Sequence, residues 1–244
     1  MAVKTIRYED MNLENPVAVI GFPSVGLVSS IAANYMVGQL DMTPIAGLSS
    51  PSMPPYCLIY KGVAYPPVRF YGRKSTTKTG RDLIVCMSEY APKPEDCYEL
   101  VQAILSYLKY MGCHDIISLE GTARINDTDG PVVCGVGPGA AKMAKKSKLS
   151  VMEGGMVKGT TGIMLYEAPP MGMGVTTLMT PANPSLPDPG SAAAYIPAIS
   201  SMVPELRLSA KPLLAEAEEI RKKMQSEQEE VEKREEERAS QLYG

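Results

Sequence analysis

Apolar positions along this chain keep two rhythms. Short unbroken runs bounded by glycine or proline alternate with stretches of helical spacing. Val17-Ala18-Val19-Ile20, set between Pro16 and Gly21, reads as a strand buried on both faces. GFPSVG (21–26) is a turn. LVSSIAANYMVGQL (27–40) has helical spacing, with Leu27, Ile31 and Tyr35 on one face and Gly38 near its end. Residues 44–72 mix short β-type runs with Pro and Gly, which predicts short strands and turns near a sheet edge. After the polar loop RKSTTKTGRD, DLIVCMSEY is another buried strand. PEDCYELVQAILSYLKYMG is the clearest core helix, with acidic residues in its first turn and Gly112 after its last. HDIISLEG and GPVVCGVG read as strands and GAAKMAKKSKL as a helix. GGMVKGTTGIMLYEAP is a glycine-containing helix or turn, GVTTLMT a late strand, and DPGSAAAYIPAISSMV a helix broken by Pro197.

This alternation predicts an α/β domain over residues 1–207, with a mostly parallel sheet flanked by helices on both faces. The composition then changes. Residues 208–241 form a long charged helix in which Leu213, Ala217, Ile220, Met224 and Val231 make a partial heptad seam. The seam positions that follow are Arg234 and Arg238, so the apolar stripe ends there and a charged stalk remains. Residues 242–244, Leu-Tyr-Gly, close the sequence as a separate tail.

Charge and composition narrow the function classes. The 244 residues carry a net charge of −3, with two phenylalanines and no tryptophan, which argues against a nucleic-acid-binding domain. No apolar run reaches the roughly 18–20 residues of a membrane span. The N-terminal stretch has no apolar signal core, so the expected compartment is the cytoplasm. The cysteines (Cys57, Cys86, Cys97, Cys113, Cys134) show no CxxC pairing, and His114 is the single histidine. No metal site and no cofactor are expected from this set.

Two glycine loops sit where α/β proteins hold anions, between a strand and a helix. The first runs from Gly21 to Gly26. It has the frame of a phosphate loop but carries Leu27-Val28 in place of Lys-Ser/Thr, so the point charge for a phosphate is missing. The second is GVGPG, with Gly135, Gly137 and Gly139, where Pro138 removes an amide donor. A tight turn that needs glycine at its ends is the preferred reading of both, with anion binding the lesser one. Glu89, Glu120 and Glu167 lie near element ends as candidate carboxylates, without the spacing of a base and its nucleophile.

VAVIGFPSVGLVSSIAANYMV, EGGMVKGTTGIML, LPDPGSAAAYI and PLLAEAEEIRKKM together resemble the archaeal members of the proteasome assembly chaperone family over residues 15–224. The GVGPG stretch departs from that family's pattern. The resemblance implies a nucleoside-phosphorylase-like α/β body. It also implies a non-enzymatic role, assembling or engaging the 20S proteasome core particle without ATP. Against that background Leu242, Tyr243 and Gly244 match the hydrophobic–tyrosine–any-residue ending with which proteasome activators enter pockets between α-subunits. The resemblance thus implies a homo-oligomer whose tails bind α-subunits, with Leu242, Tyr243 and the Gly244 carboxylate as recognition groups. The alternative is a phosphorylase-like small-molecule enzyme or nucleotide binder that uses the Gly21–Gly26 or Gly135–Gly139 loop.

Overall fold

The computed structural model describes residues 3–123, 130–220 and 222. Its centre is four parallel strands: β2 (Val17–Gly21), β7 (Leu83–Ser88), β8 (Asp115–Thr122) and β11 (Gly174–Pro181). Residues that are apolar in unbroken runs fill these positions because both faces are covered. Val17 and Val19 point to one side, while Ala18 and Ile20 point to the other. Outside the centre the pairing turns antiparallel. Strands β6 (Val68–Arg73), β3 (Thr43–Ser49) and β1 (Lys4–Arg7) extend one side in that order. On the other side β9 (Val132–Val136) pairs antiparallel with β11, and β10 (Ser150–Val151) is parallel to β9. The nine-stranded sheet is therefore mixed, and the expectation of mostly parallel pairing holds for its four central strands, with the edge pair β9–β10 parallel as well. A separate hairpin, β4 (Leu58–Tyr60) with β5 (Val63–Tyr65), stands off the sheet.

Helices cover the two faces. On one lie α1 (Val28–Gln39), α3 (Ala140–Ser147), α5 (Pro189–Ala193) and α6 (Tyr195–Met202). On the other lie α2 (Pro94–Tyr110) and α4 (Gly159–Glu167). α2 begins with Pro94 at its first helical position and has Glu95 and Asp96 in its first turn. Its Leu100, Val101, Ile104, Leu105 and Leu108 are buried against Phe70, Ile84 and Cys86.

One local expectation changes and one is completed. In α1 the face in contact with the sheet is Val28, Ser29, Ala32, Ala33 and Met36, rather than Leu27, Ile31 and Tyr35. Small side chains let the helix backbone approach β2. Ile31 and Tyr35 instead meet the segment after α6, where the Tyr35 hydroxyl donates to the Ser209 carbonyl at 2.5 Å. Pro197 does not break the helix, because it lies in the first turn of α6, where a backbone N–H has no intrahelical partner to lose. The division falls three residues earlier, at Ala194.

A last helix, α7 (residues 211–220), starts on the body. Leu213 is buried against Ala193 and Ile196, while Leu214 on the opposite side is half exposed. Met224, Val231 and the tail Leu242-Tyr243-Gly244 lie outside the described residues. Among the described residues no helix is long and apolar enough to cross a membrane.

Candidate functional site

The first glycine loop joins β2 to α1. A side chain at Gly21 would run into the Ala33 side chain and sit 2.5 Å from the Ser29 carbonyl, so this glycine lets α1 lie flat on the strand. Gly26 has φ +64° and Leu27 φ +53°, a left-handed pair that reverses the chain into the helix. The loop is held from both sides. The Ser24 hydroxyl bonds with that of Ser29 at 2.7 Å and accepts from the Gly121 amide at 3.0 Å. The Gly26 carbonyl accepts from the Asp188 amide at 2.8 Å. Asp188 itself caps α5, accepting from the Ser191 amide and hydroxyl. The Asp188 Cβ also lies against Gly26, and close packing accounts for both glycines.

The second loop joins β9 to α3. Gly137 (φ +84°) and Gly139 (φ +76°) are both left-handed, and Gly139 is the N-cap of α3. A side chain at Gly139 would sit 2.5 Å from an Asp115 carboxylate oxygen. Asp115 thus brings a negative charge to the positive end of α3, the place an external anion would take. Arg81 balances it with an ion pair at 2.6 Å.

The three candidate carboxylates go to three separate environments. Glu89 follows β7 and takes both terminal nitrogens of Arg69, a residue only 5 % exposed. Arg69 also donates through Nε to the Tyr71 hydroxyl at 2.9 Å and through Nη1 to the Pro66 and Pro67 carbonyls. This fork ties β6, β7 and the 66–67 segment together. Glu167 at the end of α4 accepts from Gln102 of α2 at 2.6 Å. Glu120 in β8 is half-buried, and its desolvation pushes the carboxyl up to about 7, partly offset by the Thr161 hydroxyl that donates to it at 2.8 Å. Thr161 and Ser118 share a further bond at 2.9 Å, and Tyr195 donates to the Glu120 carbonyl at 2.8 Å. A carboxyl near neutrality can exchange a proton, yet Thr161 and Ser118 are both buried away from solvent. The arrangement is that of a buried polar network across the sheet rather than an open acid–base pair.

Cys86, Cys97 and Cys113 are buried, and burial raises their thiols, that of Cys113 to about 12. They are core residues and not nucleophiles. Among the described residues no group of His, Cys, Asp and Glu has the arrangement of a metal site. Sequence reasoning missed the Arg69–Glu89 fork and the Asp115 contact with α3. Both join residues far apart in the chain, and neither leaves a local motif.

The comparisons with known proteins point one way. The PAC2 family model matches residues 18–228. An uncharacterized protein of Methanocaldococcus jannaschii, MJ0106, is 24% identical over 231 residues, covering 91% of this chain and 90% of that protein. Among solved structures, PbaA of Pyrococcus furiosus, described as an archaeal homolog of proteasome-assembly chaperone, superposes with a TM-score of 0.83. It is 30% identical, over 99% of this chain and 98% of PbaA. PbaB of the same organism, described as an archaeal proteasome activator, superposes with a TM-score of 0.79 at 22% identity, over 93% of this chain and 99% of PbaB, a likeness of fold. With most of its length matched by the family model and a full-length structural relative at 30% identity, this chain belongs to the PAC2 family.

Proposed function

We propose that this protein is a proteasome assembly chaperone or activator that works without ATP and docks on the α-ring of the 20S core particle. The observation that carries the reading is the end-to-end likeness to PbaA, joined to a sequence that closes in Leu242-Tyr243-Gly244. In this reading Leu242 fills an apolar recess and the Tyr243 ring is buried with its hydroxyl bonded. The Gly244 carboxylate pairs with a lysine of the pocket. The body is a non-enzymatic, cytoplasmic platform, and several copies present their tails together. A single three-residue tail binds weakly. Tails presented by one homo-oligomer to a ring of repeated pockets gain roughly 10²–10⁴-fold in avidity.

The glycine loops support this reading over a nucleotide-binding one. Gly21, Gly26 and Gly139 are each explained by a close intramolecular contact, and Asp188 and Asp115 put negative charge beside the two loops. A direct test is core-particle binding by Tyr243→Ala and by a variant with one residue added after Gly244. Both are expected to lose binding while melting at the wild-type temperature. Wild-type binding by the extended variant would sink the tail mechanism.

A further inference from the structure

Helix α7 carries the first three positions of the heptad seam, Leu213, Ala217 and Ile220, and all three turn toward their own protomer. Leu213 is 2% exposed and packs with Ala193 of α5 and Ile196 of α6, in a cluster that Ile31 and Tyr35 of α1 complete. One turn on, the Ala217 Cβ lies 3.6 Å from where a Cβ on Gly190 of α5 would stand, so two small residues let the helices cross closely. Ala217 and Ile220 are half-buried, whereas Leu214, Ala215, Glu216 and Glu219 on the outer side are exposed. The chain entering α7 is held as well. The Ser209 carbonyl accepts from the Tyr35 hydroxyl, the Ser209 hydroxyl accepts from the Lys211 amide at 3.3 Å, and Leu208 and Ala210 join the same cluster. The outer face of α1, with Ile31 and Tyr35, is thus one wall of a seat.

A side chain cannot fill two holes at once. In a coiled coil the seam residues enter a facing helix, but Leu213 is already buried within its own protomer. With the first turns of the helix taken, the seam left in the sequence is Met224 and Val231, and the seam position between them is Glu227. A coil needs about three to four heptads of apolar seam, which this remnant does not supply.

We infer that α1, α5 and α6 form a seat that holds α7 on its own protomer, and that each body presents its C-terminal tail singly from that seat, with no coiled coil between tails. Tyr35, Gly190, Leu213 and Ala217 are then positioning residues for the tail. The spacing between tails is set by the spacing between bodies. The presentation of the tail rests on the proposed docking role, whereas the seat stands without it.

The test is a disulfide trap on the full-length protein. Cys57, which is exposed, is first replaced by Ser. Gly190→Cys/Ala217→Cys then sets two Cβ atoms at a separation within the roughly 3.5–4.5 Å of ordinary disulfides. Diamide, which takes up the two hydrogens, is expected to join these thiols within one chain, so that the protein runs as a monomer on a non-reducing gel with both thiols blocked to maleimide. Ala217→Cys alone is expected to give no disulfide-linked dimer, and it carries the test should the double variant fail to fold. The oxidised double variant is then compared with the same protein reduced, in binding to an archaeal 20S core particle. The two affinities are expected to agree within about threefold. Dimers from Ala217→Cys alone, or a double variant that closes between chains or not at all, overturn the seat. A loss of about tenfold or more on oxidation, reversed by dithiothreitol, overturns presentation from it, because α7 would then have to leave the body to dock. Failure of the wild type itself to bind the core particle refutes the docking role instead, and the gel still decides the seat.

Discussion

Glu120 makes the stability of this protein depend on pH. Its carboxyl stands at about 7 in the folded chain, against an ordinary 4.5, because burial disfavours the charged form. The folded state therefore holds a proton that the unfolded state has released between those two values. The stabilisation is fully present below about pH 4.5 and is lost as pH rises through 7. A shift of this size is worth about 3 kcal/mol, of which roughly 2–3 kcal/mol disappears between pH 5 and pH 8. Glu120→Gln keeps an acceptor for the Thr161 hydroxyl and removes the titration. Urea unfolding of both proteins at pH 5, 6, 7 and 8 isolates the effect. The wild type is expected to lose about 2–3 kcal/mol relative to the variant over that range, with the variant the more stable protein at pH 8. Parallel pH profiles for the two would refute the burial argument.

Other perturbations follow from the same contacts. Glu89→Ala leaves the buried Arg69 guanidinium without its carboxylate and is expected to cost about 2–4 kcal/mol in urea unfolding. The double variant Arg69→Met/Glu89→Leu, which removes both charges, should cost less than that single change. Asp115→Asn takes the carboxylate from both Arg81 and the start of α3. A loss of about 1 kcal/mol that shrinks in high salt is expected by thermal melting. Gly21→Ala forces a methyl group into Ala33 and the Ser29 carbonyl, and should destabilise by about 1–3 kcal/mol. In the wild type, phosphate and nucleotides should leave the melting temperature unchanged, and a saturable upward shift would restore the anion-loop reading.

Much of the architecture was legible because its signals are local. The runs at Val17–Ile20 and Leu83–Met87 announce strands covered on both faces, and they form the parallel centre with β8 and β11. The α2 helix announces itself through its acidic first turn and its apolar stripe. What was not legible depends on distant partners. Lys4–Arg7 is too short and too polar to read as a strand, and it exists because β3 pairs with it. Leu27, Ile31 and Tyr35 mark the helical spacing of α1, but which face meets β2 was not legible, because close approach there is made by serine and alanine. The glycine loops looked like anion sites from their strand–turn–helix position. Only the structure shows Ala33, Asp188 and Asp115 beside them. The proposed docking tail is read from the three residues Leu242-Tyr243-Gly244, and the weight of that proposal rests on the body that precedes them.

The most direct test of the proposed docking role is equilibrium binding of an archaeal 20S core particle. It compares the full-length protein with a chain ending at Gln241, each checked for the same melting temperature and oligomeric state. The account predicts saturable binding by the full-length protein and loss of at least about 100-fold in affinity on removing Leu242-Tyr243-Gly244. Equal binding by both would place the interface on the α/β body and contradict the tail mechanism.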